Sequence, residues 1–533
     1  MEFVISTYGD FYVPFLYVCV DSIKKNHKDA SIVVVWDNIS DKEMQLLQYA
    51  FSDVKFIKSD QNIFHKDIRK SIPLKLKSWV DYLNNSNKKT TCFLDSDIIV
   101  YKNISQFISD EYDLLFTWKP EFFLLNTGVI IVNNSERTRH FFELWLKKIE
   151  EIVADNVLLT NACNKNGAAD QQALYELMGK AEYTLDFAVT YDFGAVKFRP
   201  VECNLLNQTN SVPMDYGSYI FHYKAGWHPI LLKLQGYSEH RSMTMSYEMH
   251  RYWENSYNRI NDDVLNRYVN DVAKKYVNAV DWLSLGHETR GILNSEMLAV
   301  ITMIKEAKVD VVIESGRCRG QSTVVLAEAL KNTDIKVISI ELLRDENAAF
   351  SEKRLASYKH IDLLYGDAKK IIQRELAKYR DKNVAILFDG PKGKDAYEIF
   401  AKCIYKNKNI VVGFFHDCRK SCGRNTNISR DEIYNYFDRL FFTDHADYVE
   451  QFKEIDKFSI VEKVAITPDS WRPFYKGWDR IGSYGPTLAV VFPTERDRYR
   501  WLIQKKSYQI FMRIKKVLVK YLEKFRGRMI NVA

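Results

Sequence analysis

Short apolar runs rich in β-branched residues recur from the start of the chain: FVIST at 3–7, IVVVW at 32–36, a run at 54–57 and TCFL at 91–94. Between them, residues 14–26 and 41–51 space their apolar positions at the helical period. Runs apolar on both faces, alternating with amphipathic helices, predict a mostly parallel sheet with crossover helices. The alternation begins again with VDVVI at 309–313 and continues through KVISI (336–340), IDLL (361–364), VAILF (384–388) and IVVGFF (410–415), with TLAVVF at 487–492 as a last strand. The expected fold class is α/β in two domains, residues 1–237 and 286–494. Residues 238–285, polar and aromatic at helical spacing, read as a helical connector, and 495–533 as a basic amphipathic helix.

Composition changes this picture little. With 46% hydrophobic and 27% charged residues, the chain sits near globular averages, which argues against a disordered or fibrous protein. The net charge of +7 is misleading, because residues 495–528 carry +9 and leave −2 for the rest. A nearly neutral body gives no reason to expect nucleic acid, whereas the basic tail can lie on an anionic membrane or pack its apolar stripe on protein. The start, MEFVISTYGD, has no basic n-region or apolar h-region, and no run of about eighteen apolar residues occurs, so the expected location is cytoplasmic. Eight cysteines without framework spacing, Cys418 and Cys422 being the one close pair, read as thiols of a reducing compartment. The sequons at Asn103 and Asn207 are then composition only.

The run TCFLDSDIIV ends an apolar strand on Asp95 and Asp97. Two carboxylates one residue apart can approach a hard divalent cation that keeps positions open for substrate phosphates, although Asp-x-Asp alone is equally a polar strand-to-loop turn. The motifs around the pair follow in the order FVISTYGD, VVVWDN, PLKLKSW, FLDSDIIV, LNTGVIIVNNS, ADQQALYEL and FHYKAGWHP over residues 1–235. That order resembles the GT-A glycosyltransferases, especially the glycogenin and galactosyltransferase-like group and, most nearly, the capsid-glycan glycosyltransferases of large algal DNA viruses. The resemblance implies a Rossmann-like mixed sheet, a nucleotide-sugar donor (a UDP-sugar), and a glycan acceptor. It places Thr7, Tyr8 and Asp37 at the base and ribose, Lys75 at the donor phosphates, and Asp95, Asp97 and His222 on Mn²⁺ or Mg²⁺. It further implies that Asn126 and Gly128 line the sugar pocket and that Asp170 and Gln171 face the transferred sugar, Asp170 holding it or stabilising oxocarbenium charge. The family's Gly-x-x-Lys-Pro-Trp ending appears as GWHPIL, one residue shorter, so the diphosphate contact stays open between Lys224 and His228.

In the second domain, VDVVIESGRCRGQSTVVLAEAL reads as a buried strand, a glycine turn and a helix. Gly316 and Gly320 let the backbone approach a ligand, and the helix start offers unpaired N–H groups. The spacing Glu-x-Gly-x-x-x-Gly is not the dinucleotide Gly-x-Gly-x-x-Gly, while Glu341 ends the next strand where a carboxylate can accept ribose hydroxyls. The arrangement resembles class I S-adenosylmethionine-dependent methyltransferases. By that resemblance Glu314, Gly316, Gly320 and Ser322 surround the methionine part, Glu341 the ribose and Asp367 the adenine, with Asp389 also beside the cofactor. Asp389 and Asp417 match a second metal site, and His416 reads either as a general base poised near neutral pH or as a structural histidine. The chain contains no Pro-Pro dipeptide, the mark of nucleic-acid amino-methyltransferases, which points to a sugar hydroxyl as acceptor. WRPFYKGWDR (471–480) reads as a sugar-stacking loop or a lid.

The expected function is a bifunctional enzyme that transfers a sugar and O-methylates a sugar hydroxyl. Two other readings stand beside it: an active glycosyltransferase with a non-catalytic nucleotide- or glycan-binding second domain, and a second half that binds NAD. Donor, acceptor, linkage and oligomeric state have no signature in the sequence.

Overall fold

The first strand, β1 (Glu2–Tyr8), is buried along almost its whole length and lies between two parallel neighbours, β2 (Ser31–Asp37) and β4 (Thr90–Asp95). Strands covered on both faces must be apolar throughout, which is why these segments read as continuous runs. The structure, a computed structural model, describes residues 1–59, 72–119, 123–166, 168–178, 187, 189–208, 217–222, 247–277, 291–418, 430–466, 487–494, 497–498 and 500. Lys224, His228, Cys422, the 471–480 loop and nearly all of the basic tail lie outside them.

The chain divides into two compact units, Met1–Ile260 and Asn261–Ala533. In the first, β3 (Lys55–Lys58) lies outside β2, and on the far side of β4 come β7 (Phe123–Asn133), β6 (Leu114–Lys119), β9 (Lys197–Glu202) and β8 (Tyr191–Asp192), giving the order β3-β2-β1-β4-β7-β6-β9-β8. The half through β4 is parallel, as the pattern predicts. Beyond it β7 runs antiparallel to both β4 and β6, so the sheet is mixed rather than mostly parallel. A separate two-stranded ribbon pairs β5 (Ile98–Val100) with β10 (Ile220–His222). Helix ends follow local chemistry: Ser40 caps Asp41–Ala50, and Ser135 with Thr138 forms a capping box on Glu136–Ala154.

The helix Tyr247–Val277 continues across the division between the units. Its first half buries Trp253 against Phe15, with Tyr257 stacked on Trp253 at 5.2 Å.

The second unit holds β11 (Val311–Ser315), β12 (Lys336–Glu341), β13 (Ile361–Tyr365), β14 (Val384–Phe388) and β15 (Ile410–Phe415), all parallel, with β16 (Leu440–Phe442) and β17 (Ala489–Val491) at one edge. The order is β13-β12-β11-β14-β15-β17-β16, with β17 antiparallel to both neighbours. The six-strand dinucleotide-binding order has no such reversed strand inserted before its edge, so the fold departs from that class. In each unit the strand order reverses around the first strand, and such switch points open a crevice at the carboxyl ends of the strands.

Candidate active sites

β4 delivers Asp95 at its carboxyl end, and a tight turn through Ser96 carries Asp97 to the start of β5. β10 pairs with β5 so that His222 stands opposite Ile98, and this register brings the imidazole beside both acids. His222 Nε2 lies 3.3 Å from Asp97 Oδ1 and 3.6 Å from Asp95 Oδ2, and one ligand atom from each of the three residues falls within 4.8 Å of the others. A Cβ on residue 128 would stand 2.5 Å from His222 Cε1 and 3.2 Å from Asp95 Oδ2. Gly128 is therefore clearance for the ring, a more specific place than the wall of a sugar pocket. The two carboxylates fit Mn²⁺ or Mg²⁺ by donor type, and the imidazole adds a nitrogen donor more usual for transition metals.

The segment PLKLKSW lies on the helix Ile72–Asn85. Lys75 and Trp79, four residues apart, share a face: Lys75 Nζ sits 4.6 Å above the Trp79 ring, and Trp79 donates to Ser6 Oγ at 2.7 Å while stacking on Phe93. This core anchor aims the Lys75 ammonium at the Asp95 carboxylate, with which it forms an ion pair. Burial pulls the lysine pKa down, but the charges of Asp95 and Asp170 outweigh it and hold it above the usual value. Asp170 opens the helix Ala169–Leu177, its Oδ2 accepting from Thr127 Oγ1 at 2.6 Å and its Oδ1 from the Gln171 N–H at 3.0 Å. The Asp170 carbonyl accepts from the buried Trp145 indole at 2.9 Å, so the core fixes this acid too.

Asn126 accepts the Gly128 N–H on its own side-chain oxygen at 2.9 Å, which shapes the strand beneath the histidine. Tyr8 and Asp37 are register partners at the ends of β1 and β2, and Thr7 is buried with no hydrogen-bond partner for its hydroxyl among the described residues. Burial raises the Tyr8 phenol. Tyr12, which the sequence reading passed over, faces the same site: burial first, then Asp97 and Asp95, raise its pKa. Its one signal was an aromatic side chain just past the first-strand motif.

In the second unit the glycine turn is tight. Gly316 has φ +95°, and a Cβ there would come within 2.4 Å of Gly390 N, because the ends of β11 and β14 touch. Gly320, also left-handed at φ +81°, precedes the helix Gln321–Leu330. Glu341 accepts the Cys318 N–H of this turn at 2.6 Å and the Leu342 N–H at 2.7 Å, which fixes the carboxylate at the mouth of the crevice. Asp367 caps the helix Ala368–Lys378 through the Lys369 N–H.

Glu314 is fully buried, and its oxygens accept from Ser322 Oγ at 2.5 Å, Thr323 Oγ1 at 2.5 Å and Ser339 Oγ at 2.6 Å. It braces the turn from beneath, and the Ser322 hydroxyl is committed to it. Burial, the largest effect, raises the Glu314 pKa against those three donors.

Asp389, His416 and Asp417 do meet at the ends of β14 and β15. His416 Nδ1 lies 2.7 Å from Asp389 Oδ1, and Nε2 lies 3.6 Å from Glu296 and 3.8 Å from Asp417. Burial alone would lower the imidazole pKa, but Asp417, Asp389 and Glu296 raise it to about 10. So held, the ring favours the imidazolium at neutral pH. Lys392, also missed because a lysine in a turn reads as solvated surface, pairs with Asp417 and with Asp389 at 2.8 Å. Burial pushes Asp389 up, yet His416 and Lys392 keep it below the ordinary range. No helix among the described residues is long and apolar enough to cross a membrane.

No protein-family model matches the chain, and no curated protein sequence does. Solved structures do share parts of its trace. The glycosyltransferase GlyE of Streptococcus pneumoniae is 14% identical, with 76% of this chain and 90% of that one covered and a TM-score of 0.33. The galactosyltransferase LgtC, solved with donor and acceptor sugar analogs, is 16% identical over 48% of this chain and 100% of its own, at a TM-score of 0.31. A glycosyltransferase involved in glycosylation of the major capsid of PBCV-1 is 13% identical over 42% and 93%, at 0.25.

Proposed function

We propose that the first unit is a divalent-metal-dependent glycosyltransferase using a nucleoside-diphosphate sugar, and the second an S-adenosylmethionine-dependent O-methyltransferase for a sugar hydroxyl. The convergence of Asp95, Asp97 and His222 beside Lys75 carries the first half. Bound there, a divalent cation would offset the charge that builds on a departing diphosphate. Asp95, Asp97 and His222 would hold it, and Lys75 adds a fixed positive charge beside Asp95. Asp170, held by Thr127 and the Trp145 indole, presents an acid toward the lysine side of the site, where a sugar hydroxyl or developing positive charge on the ring would meet it.

The second half is favoured by the glycine turn beside Glu341 and by a strand order that departs from the dinucleotide class. Glu341 offers a carboxylate to ribose hydroxyls, and the helix at Gln321 turns its first N–H groups toward the same crevice. Lys392 and the charged His416 supply positive charge near an acceptor oxygen at the ends of β14 and β15. Calorimetric titration of the intact protein with UDP plus Mn²⁺, repeated on Asp97→Ala, and with S-adenosylmethionine, repeated on Glu341→Ala, tests both halves. Each wild-type binding should vanish in its own variant only. Binding of UDP alone would reduce the second unit to a non-catalytic module, and binding of NAD in place of S-adenosylmethionine would refute its assignment.

A further inference from the structure

We infer that Asn207 is a positioning residue: it holds His222 as the Nδ1–H tautomer, leaving a bare Nε2 toward Asp95 and Asp97, in a direction dictated by one backbone carbonyl. The consequence for metal binding rests on the cation-site reading above; the tautomer itself does not.

The inference follows from counting protons along a buried chain. The Asn126 carbonyl can only accept a hydrogen bond. Thr117 Oγ1, fully buried on β6, donates its single proton to that carbonyl at 3.1 Å. Its oxygen is then an acceptor for Asn207 Nδ2, 3.0 Å away. That contact fixes the Asn207 amide, whose other end, Oδ1, faces His222 Nδ1 at 2.8 Å. An amide oxygen cannot donate, so Nδ1 must carry a proton. Of the two neutral tautomers this selects Nδ1–H, whose Nε2 lone pair lies 3.3 Å from Asp97 and 3.6 Å from Asp95.

Reversing every bond would turn the Thr117 hydroxyl toward Asn207 and strip the buried Asn126 carbonyl of that donor. Asn207 and Thr117 are themselves fully buried, so water cannot readily replace any link. In that tautomer three lone-pair-bearing atoms face one another, an arrangement complementary to a cation. In metal sites the partner of the non-ligating histidine nitrogen commonly sets ring orientation and tautomer, and here a neutral amide takes that place.

The direct test needs no variant. Nitrogen NMR of the metal-free protein labelled with ¹⁵N-histidine, with the His222 signal assigned by its loss in His222→Ala and the pH raised until that ring is neutral, should show the Nδ1–H form. The Nε2–H form would overturn the inference. A second test reads Mn²⁺ affinity from the spin-resonance signal of free Mn²⁺. Asn207→Leu removes the acceptor at similar volume and should weaken binding on the order of 10- to 100-fold. Asn207→Asp keeps an acceptor and should restore binding toward the wild-type level. Wild-type affinity in a folded Asn207→Leu refutes the positioning role, and should that variant not fold, the wild-type spectrum decides alone. If Asp97→Ala binds Mn²⁺ as wild type does, the cation site itself fails while the tautomer result still stands or falls separately.

Discussion

Each unit gathers two aspartates, a histidine and a lysine at the carboxyl ends of parallel strands, yet the two sets resolve their charge in opposite ways. In the first, Lys75 pairs with Asp95, no lysine pairs with Asp97 among the described residues, and the non-ligating nitrogen of His222 faces a neutral amide. In the second, Lys392 spans both Asp389 and Asp417, and His416 is drawn into the protonated form by three carboxylates. The difference lies in where the ammonium sits: Lys75 leaves Asp97 to His222, whereas Lys392 bridges both aspartates. Identical residue types therefore do not make identical sites, because the position of one ammonium and the partner of one ring nitrogen differ between the two candidate metal sites.

The largest expected effect separates the two clusters. The protein should bind one Mn²⁺ per chain, and Asp97→Ala should weaken that binding by more than about 100-fold, beyond the loss typical for an indirect partner. Asp417→Ala should leave it unchanged. Two ions per wild-type chain, counted by equilibrium dialysis, would break the comparison. Next in size is Gly316→Ala, whose Cβ would meet backbone at 2.4 Å in a left-handed conformation. It should destabilise the second unit by about 3 kcal/mol and abolish S-adenosylmethionine binding, with the first unit's Mn²⁺ binding intact; thermal unfolding and calorimetry read both. Smaller again, Lys392→Met should expose Asp389 and Asp417 to solvent cations and raise the Mn²⁺ stoichiometry from one to two, the second weak. A stoichiometry still at one would mean that Lys392 is not what keeps a metal out.

The parallel strands of both units were legible because burial on both faces demands unbroken apolar runs, and 384–388 and 410–415 match the observed bounds of β14 and β15. The mixed half of the first sheet was not, since β6, β8 and β9 are short or mixed in polarity, and β6 and β9 pair across some eighty residues of chain (Leu114 with Phe198). The acids were legible as strand-end carboxylates. What surrounds them was not: the three hydroxyls from other elements that enclose Glu314 have no signal in its own motif. Thr117 and Asn207 carry no signal at all, because their role exists only through His222.

The smallest predicted effect places the same substitution in the other unit. In Gly128→Ala the new Cβ would meet the His222 ring at 2.5 Å rather than backbone, and the φ of residue 128 carries no left-handed strain. A side chain can turn away where a strand end cannot. Unfolding temperature should therefore stay close to wild type, whereas the displaced ring should lose its alignment with Asp95 and Asp97 and lower Mn²⁺ affinity by roughly 10-fold, the lower end of the range for disturbing a ligand's orientation. Titration with Mn²⁺ beside a thermal melt checks both quantities at once. A large loss of stability with unchanged affinity would mean that residue 128 serves the sheet and not the histidine, and the first unit's glycine would then resemble Gly316 after all.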